Sequence, residues 1–308
     1  MPLTILLYAL FASVFTISKT ALEYSQPFFL VGTRMVIAGS ILLAYQYIFY
    51  RSSFSIKSSD FWKLLQLGIF CIYLTNALEF WGLQYLSSFK TCFIYSLSPF
   101  FSALLCYMLF GEKLSIVKWL SLCIGFLGFI PLLAQQSTGD DFAGAFLFFS
   151  WAELAVMLGA LSSVYGWILL KQLVHEKGYP PTMANGIGML LGGIMSLGHS
   201  LAVENWTPTP VSETIPFLEC TMFLILVSNL ICYNLYGYLL KHYSATFMSL
   251  AGFTTPFFTA LFGWIFLNET VTWPFYVSGV IVFFGLILFY QEELKQAYKV
   301  NYATSKIE

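Results

Sequence analysis

Ser98-Pro99-Phe100-Phe101-Ser102-Ala103-Leu104 and Thr255-Pro256-Phe257-Phe258-Thr259-Ala260-Leu261 are two versions of one heptapeptide, offset by 157 residues. The same offset lays Glu112 on Glu269, Phe126 on Phe283 and Gly128 on Gly285 without a gap. Apolar residues match by chance in any hydrophobic chain. A shared Pro-Phe-Phe, followed thirteen residues after its proline by a shared glutamate, does so far less often. The chain therefore reads as a duplication.

The material around these segments is hydrophobic throughout. Of 308 residues, 58% are hydrophobic and 9% charged, against about 25% charged in a soluble domain. Too few polar groups exist to cover a globule of this size, so the expected solvent is a lipid bilayer. A net charge of −1 gives no footprint for nucleic acid. Six cysteines, Cys71, Cys92, Cys106, Cys123, Cys220 and Cys232, lie in apolar stretches without a CxxC pair. They read as small buried hydrophobes and not as disulfides or metal ligands.

About twenty apolar residues at 1.5 Å each span the hydrocarbon core. Ten segments meet that length, near 3–22, 27–50, 62–83, 88–110, 115–133, 151–170, 182–202, 216–239, 243–267 and 273–290. The first lacks a basic start and a small-residue cleavage site, so it is expected to be retained as a helix. Placing residue 1 in the cytoplasm puts Arg51, Lys57, Lys63, Lys113, Lys118, Lys171, Lys177, Lys241, Lys295, Lys299 and Lys306 on the inner side. Lys90 alone falls outside, while the long outer loops carry Asp140, Asp141, Glu204 and Glu213. The positive-inside rule then predicts both termini in the cytoplasm. Five helices per repeat is an odd number, so the second copy must enter the membrane from the opposite face. The expected fold is an all-α integral membrane protein of ten transmembrane helices, built as two inverted five-helix repeats. Residues 1–135 form the first and 151–292 the second, with an outer connecting loop at 136–150 and a cytoplasmic tail at 293–308. Inverted repeats enclosing a site at their interface are a transporter arrangement.

The chain resembles the drug/metabolite transporter superfamily, and within it the EamA-like members. The residues carrying the likeness are Gly82-Leu83-Gln84-Tyr85-Leu86-Ser87, Ser98 to Leu104 and Phe110-Gly111-Glu112-Lys113-Leu114. The second copy runs Tyr243-Ser244-Ala245, Thr255 to Ala260 and Leu267-Asn268-Glu269-Thr270. Arg34 also sits where that family usually has an arginine. Its counterpart region, Thr182 to Gly193, has none. The resemblance implies ten helices in inverted halves, a central cavity between them, and helices five and ten away from it. In overall character the chain is similar to the S-adenosylmethionine/S-adenosylhomocysteine transporters of intracellular bacteria, although no single motif carries that likeness. The expectation is a secondary transporter of the cytoplasmic membrane, moving S-adenosylmethionine by alternating access, with S-adenosylhomocysteine as an exchange partner. An exporter of amino acids or drugs is the alternative within transport. A membrane enzyme of lipid-linked intermediates is the alternative from another class. The expected partners are a small-molecule substrate and the bilayer, and the sequence does not separate a monomer from a homodimer.

Ionisable groups inside a membrane cost about 2.5–3.5 kcal/mol at its centre by insertion scales, and they persist when paired or facing a polar cavity. Lys19, Arg34 and Glu79 are the intramembrane candidates, all expected in the outer third of the bilayer. Glu79 would meet a cationic group of the cargo, or titrate as a proton-coupling group, and Arg34 or Lys19 would meet a carboxylate. The competing expectation is an internal Arg34–Glu79 pair with Lys19 reaching to the headgroups. Polar and aromatic stripes supply further candidate binding residues: Tyr8 and Phe15 on helix one, Asn76 on helix three, Tyr95 on helix four, Tyr165 on helix six, and Asn229 and Tyr233 on helix eight. A purine can stack on such rings and a sulfonium can sit over one. With 19 Tyr, 32 Phe and 8 Trp, many rings must instead face lipid. Glu153 and Glu219 lie near helix starts, where an acid suits the helix dipole. Glu112 and Glu269 are expected to cap and tether loops. Pro99 and Pro256 each remove a backbone hydrogen bond and should kink helices four and nine, as shared bends or as hinges. No P-loop, HExxH pair or G-x-S-x-G elbow occurs, and no cofactor is expected.

Overall fold

Where the sequence offers apolar residues between breakers, the chain is helical. The computed structural model describes residues 2–51, 54, 56–111, 114–133, 145–146, 149–240, 242–243, 248 and 251–304. Its helices are α1 (Pro2–Tyr24), α2 (Pro27–Phe49), α3 (Ser58–Leu83), α4 in two pieces (Ser88–Tyr95 and Ser98–Phe110) and α5 (Ile116–Gly128, continued by Ile130–Leu133). They continue as α6 (Trp151–Glu176), α7 (Pro181–Val203), α8 (Thr214–Leu239), α9 (Thr255–Leu267) and α10 (Trp273–Thr304). Among the described residues, eight are long and apolar enough to cross a membrane, while α5 and α9 are shorter apolar helices. Between α5 and α6 a minimal hairpin pairs β1 (Ala145–Phe146) with β2 (Phe149–Ser150).

The chain divides into two compact units, and each draws on both halves of the sequence. Met1–Ser96 with Ser137–Thr270 form the larger, and Leu97–Gln136 with Val271–Glu308 the smaller. The core of the larger unit is apolar side chains of α2 (Leu30, Met35), α3 (Leu67, Phe80), α6 (Leu170) and α7 (Met183, Met189). In the smaller unit, Phe100 fills the space left by Gly125, where a Cβ would fall 2.2 Å from the ring. Ser278 Oγ accepts from the Leu132 N–H at 3.1 Å, and the Phe100 and Phe289 rings lie 6.2 Å apart.

Local backbone structure recurs at the 157-residue offset. A π-helical stretch occupies Leu67–Leu74 in α3, and another occupies Leu224–Cys232 in α8. A turn at 96–97 precedes the helix start at Ser98, as a turn at 253–254 precedes Thr255. Those helices end at Phe110 and Leu267, each on a left-handed cap, Gly111 (φ 66°) and Asn268 (φ 53°). Glycine and asparagine are the residues that tolerate this conformation. The wide π turns loosen the ladder, and side chains take up the carbonyls. Thr75 Oγ1 and Ser162 Oγ donate to Phe70 O at 2.7 and 2.8 Å. Asn234 Nδ2 does the same for Leu230 O at 2.9 Å.

An interruption accompanies both prolines, and its place explains why it loses no hydrogen bond. Pro99 and Pro256 each stand in the first turn of a new helical piece. A proline there sacrifices no hydrogen bond, because the first amides of a helix have no intrahelical partner. The break precedes the proline in both copies. Two boundaries also move. α6 continues through a π turn to Glu176, and α10 runs on to Thr304 through part of the segment read as a tail.

α2 and α7 touch backbone to backbone. A Cβ on Gly32 would meet Leu197 Cγ at 2.6 Å, and one on Gly186 would meet Leu43 Cγ at 3.1 Å. A Cβ on Gly39 would meet Leu190 N at 2.7 Å, and one on Gly193 would meet Val36 N at 2.8 Å. The partner number falls as the glycine number rises, so the two helices run antiparallel. The contacts are also reciprocal, each pair mapping onto the other by a shift of 154 residues. Small residues that admit close approach are what hold helices together where no hydrophobic effect operates between them. Gly39→Ala is therefore expected to lower the thermal midpoint in detergent, with a loss of roughly 1–3 kcal/mol for overpacking. Gly198→Ala, with nothing within 4 Å of the added carbon, should be neutral. Equal midpoints for the two variants would remove the close approach as a source of stability.

Candidate functional site

All ten residues expected to bind cargo lie in the larger unit, and the structure joins several of them into one chain of contacts. Arg34 on α2 is 1% exposed. Its Nη2 donates to Asn76 Oδ1 on α3 at 2.5 Å, and its guanidinium lies over the Phe80 ring, 4.5 Å from the centroid. Asn76 and Phe80 are four residues apart on α3, so one helical face supplies both contacts. Asn76 Nδ2 donates to Ile72 O at 2.8 Å and to Tyr233 Oη on α8 at 3.4 Å. The Tyr233 ring lies 5.3 Å from Trp167 on α6, and Trp167 lies 4.3 Å from Tyr236. Tyr236 meets Phe11 at 6.4 Å, and Phe11 meets Tyr8 on α1 at 6.3 Å. Tyr8 Oη donates to Met248 O at 2.5 Å.

Glu79 does not pair with Arg34 among the described residues. Its Oε2 accepts from Tyr95 Oη at 2.7 Å, and Tyr95 is held edge-on by Phe15 at 5.7 Å. The unit thus buries an arginine and a glutamate that do not neutralise one another by contact. Burial of charges in this manner is costly unless something else compensates them.

Lys19 takes a different place from either expectation. Its Nζ donates to Leu83 O (2.6 Å), Gln84 O (3.0 Å) and Leu86 O (2.8 Å). The ammonium caps the carbonyls at the C-terminal end of α3, where a cation suits the helix dipole. An ammonium has three donors, and all three are occupied. Tyr165 packs on Phe70, ring centroids 5.0 Å apart, and has no described contact with the Arg34 chain. Asn229 is fully buried, with Nδ2 donating to Met35 Sδ at 2.9 Å and Oδ1 lacking a hydrogen-bond partner.

Other acids serve helix ends. Glu153 forms a capping box with Ser150 and also an ion pair with Lys90 at 2.7 Å, both side chains 3% exposed. Lys90, expected on the outer side at the start of helix four, is a buried residue of α4. Glu269 accepts from Ser88 N at 2.8 Å and from Ser88 Oγ at 2.6 Å, the capping role expected of it. Glu112, Asp140 and Asp141 lie outside the described residues. Glu204 accepts from the N–H groups of Phe28 and Phe29 at 2.7 and 2.9 Å, closing the N-terminus of α2.

Residues 1–134 and 150–291 both match the model of the EamA-like transporter family. The chain belongs to that family. Over 293 residues it is 35% identical to the S-adenosylmethionine/S-adenosylhomocysteine transporter of Chlamydia muridarum, covering 95% of this chain and 92% of the relative. A transporter of the same description from Chlamydia trachomatis serovar L2 is 34% identical over 94% of this chain and 88% of its own length. An uncharacterized inner membrane transporter, YedA of Escherichia coli K12, is 24% identical over 90% and 86%. A solved crystal structure, 15% identical, matches with a TM-score of 0.64 over 93% of each chain, so the fold is shared.

For this EamA-like transporter, sequence reasoning missed Trp167 and Phe80. Trp167 carried no signal, because it falls three residues from the end of the expected span 151–170, where an interfacial tryptophan is usual. Phe80 stands one turn after Asn76 and so on the same face.

Proposed function

We propose that this protein carries S-adenosylmethionine and S-adenosylhomocysteine across a bacterial cytoplasmic membrane in exchange for one another. The observation that carries the reading is the 35% identity to a transporter of that description, spread over 95% of this chain. Transport proceeds by alternating access between two five-helix repeats, residues 1–135 and 151–292, threaded in opposite senses. Three findings support that arrangement: the doubled family match, the recurrence of local structure at one offset, and the antiparallel, reciprocal contact of α2 with α7. The excess of lysine and arginine on alternate loops supports a reading with both termini inside.

The cargo has a purine, a cationic or thioether sulfur and an amino-acid end. The ring ladder Tyr8–Phe11–Tyr236–Trp167–Tyr233 offers stacking surface for the purine. Asn229 Oδ1, buried without a partner, offers an acceptor for its exocyclic amine. Glu79 receives the ammonium of the amino-acid end, its own carboxylate oriented by Tyr95, which Phe15 holds edge-on. Lys19 fixes helix ends and does not touch cargo. The breaks before Pro99 and Pro256 are the hinges.

Counterflow in proteoliposomes tests the reading. Vesicles loaded with unlabelled S-adenosylhomocysteine should accumulate labelled S-adenosylmethionine, and empty vesicles should accumulate far less. Exchange of amino acids with no exchange of either adenosyl compound would overturn the cargo. Turnover of a lipid substrate would overturn transport itself.

A further inference from the structure

In the larger unit, the half-buried Lys19 has its hydrogen-bonding capacity filled by three carbonyls, and the buried Lys90 is paired with Glu153. Arg34 differs from both. A guanidinium carries five N–H donors. Here Nη2 bonds Asn76, while Nε and Nη1 are buried and have no partner. A buried donor left unbonded costs roughly 1–3 kcal/mol, more for a charged group, so this pattern calls for an acceptor that the described side chains do not supply. The surroundings also hold the group rigid. Phe80 covers the guanidinium plane at 4.5 Å, and Asn76 is itself pinned by Ile72 O and Tyr233 Oη. A planar, pre-oriented, buried cation with free N–H groups is the arrangement that reads a carboxylate.

We infer that Arg34 is the residue that recognises the free α-carboxylate of the cargo, and that the transporter selects amino-acid-bearing adenosyl compounds through it. The inference rests on the proposed adenosyl cargo and adds to it a requirement for an ionised carboxyl group. S-Adenosylmethionine and S-adenosylhomocysteine share that group, so one reader serves both directions of exchange. An adenosyl thioether without the amino-acid end, or one whose carboxylate is masked, presents nothing to Arg34.

The test deletes the contact from both sides. Binding of S-adenosylhomocysteine and of its carboxamide is measured by calorimetry on the purified full-length protein in detergent. Hydrogen bonds to charged groups contribute about 1.5–3 kcal/mol, so the wild type should prefer the acid by at least about tenfold. In Arg34→Gln the preference should collapse towards unity, mainly through weaker binding of the acid. Arg34→Lys keeps the charge if the glutamine variant fails to fold; it should retain an intermediate preference, having lost the planar fork. Equal affinity of the wild type for acid and carboxamide would overturn the inference and leave the adenosyl cargo standing. An undiminished preference in a folded Arg34 variant would do the same. Binding of neither compound to the wild type would remove the cargo assignment and the carboxylate reader together.

Discussion

Glu79→Gln is expected to lower S-adenosylmethionine exchange by about 10- to 100-fold while leaving the protein folded. Glutamine has nearly the shape of glutamate, and its amide oxygen can still accept from Tyr95 Oη, which bonds Glu79 Oε2 at 2.7 Å. The variant therefore keeps the hydrogen bond that orients the side chain and loses only the charge. If Glu79 receives the cargo's ammonium, the loss equals a hydrogen bond to a charged group, roughly 1.5–3 kcal/mol. Glu79→Ala is a harsher control, since it strands the Tyr95 hydroxyl in an apolar interior. Exchange rates in proteoliposomes, normalised to monodisperse protein by size exclusion, check the prediction. Exchange by Glu79→Gln at the wild-type rate would take Glu79 out of the site.

The residues explain how much of this could be read in advance. Helix positions were legible because lipid imposes a length and a hydrophobicity on any span, and ten segments met both. Duplication was legible because Pro-Phe-Phe and the following glutamate are polar or conformational markers within an otherwise uniform apolar background. The partners of buried charges were not legible. Lys19 looked like a group facing water or cargo, yet it closes the end of α3, because the carbonyls of residues 83 to 86 come to it from 64 residues or more along the chain. The pairing of Lys90 was hidden for the same reason, since its partner Glu153 sits on another helix. Ion pairing depends on helix neighbours, and hydropathy carries no record of them. Arg34 and Glu79 stand out in the sequence as ionisable groups within helices, and both are buried, but their failure to pair with one another depends on the rotational setting of α2 against α3. The exact place of the break at each proline was not legible for a simpler reason. A proline's effect depends on whether it falls inside a helix or at a start, and the turns at 96–97 and 253–254 that decide this carry no glycine or other breaker.

Breaking the Lys90–Glu153 pair should be the most damaging single change to stability. The two side chains are 3% exposed and 2.7 Å apart, and Glu153 is also committed to the Ser150 capping box at the start of α6. Removing one member of such a pair leaves a buried charge without compensation, a loss of about 3–5 kcal/mol. Lys90→Met keeps the length and the apolar stem of the lysine, so its cost reports the stranded carboxylate more than lost packing. Glu153→Gln added to Lys90→Met neutralises that carboxylate, and glutamine still completes the capping box. The double variant should therefore recover more than half of the stability that Lys90→Met loses. Thermal unfolding of the two single variants and the double in one detergent measures the coupling between them. Strictly additive losses would mean that the charges matter separately and that the ion pair holds nothing together. Recovery in the double variant would show that the ends of α4 and α6 are joined by charge compensation, with the rest of the contact supplied by packing.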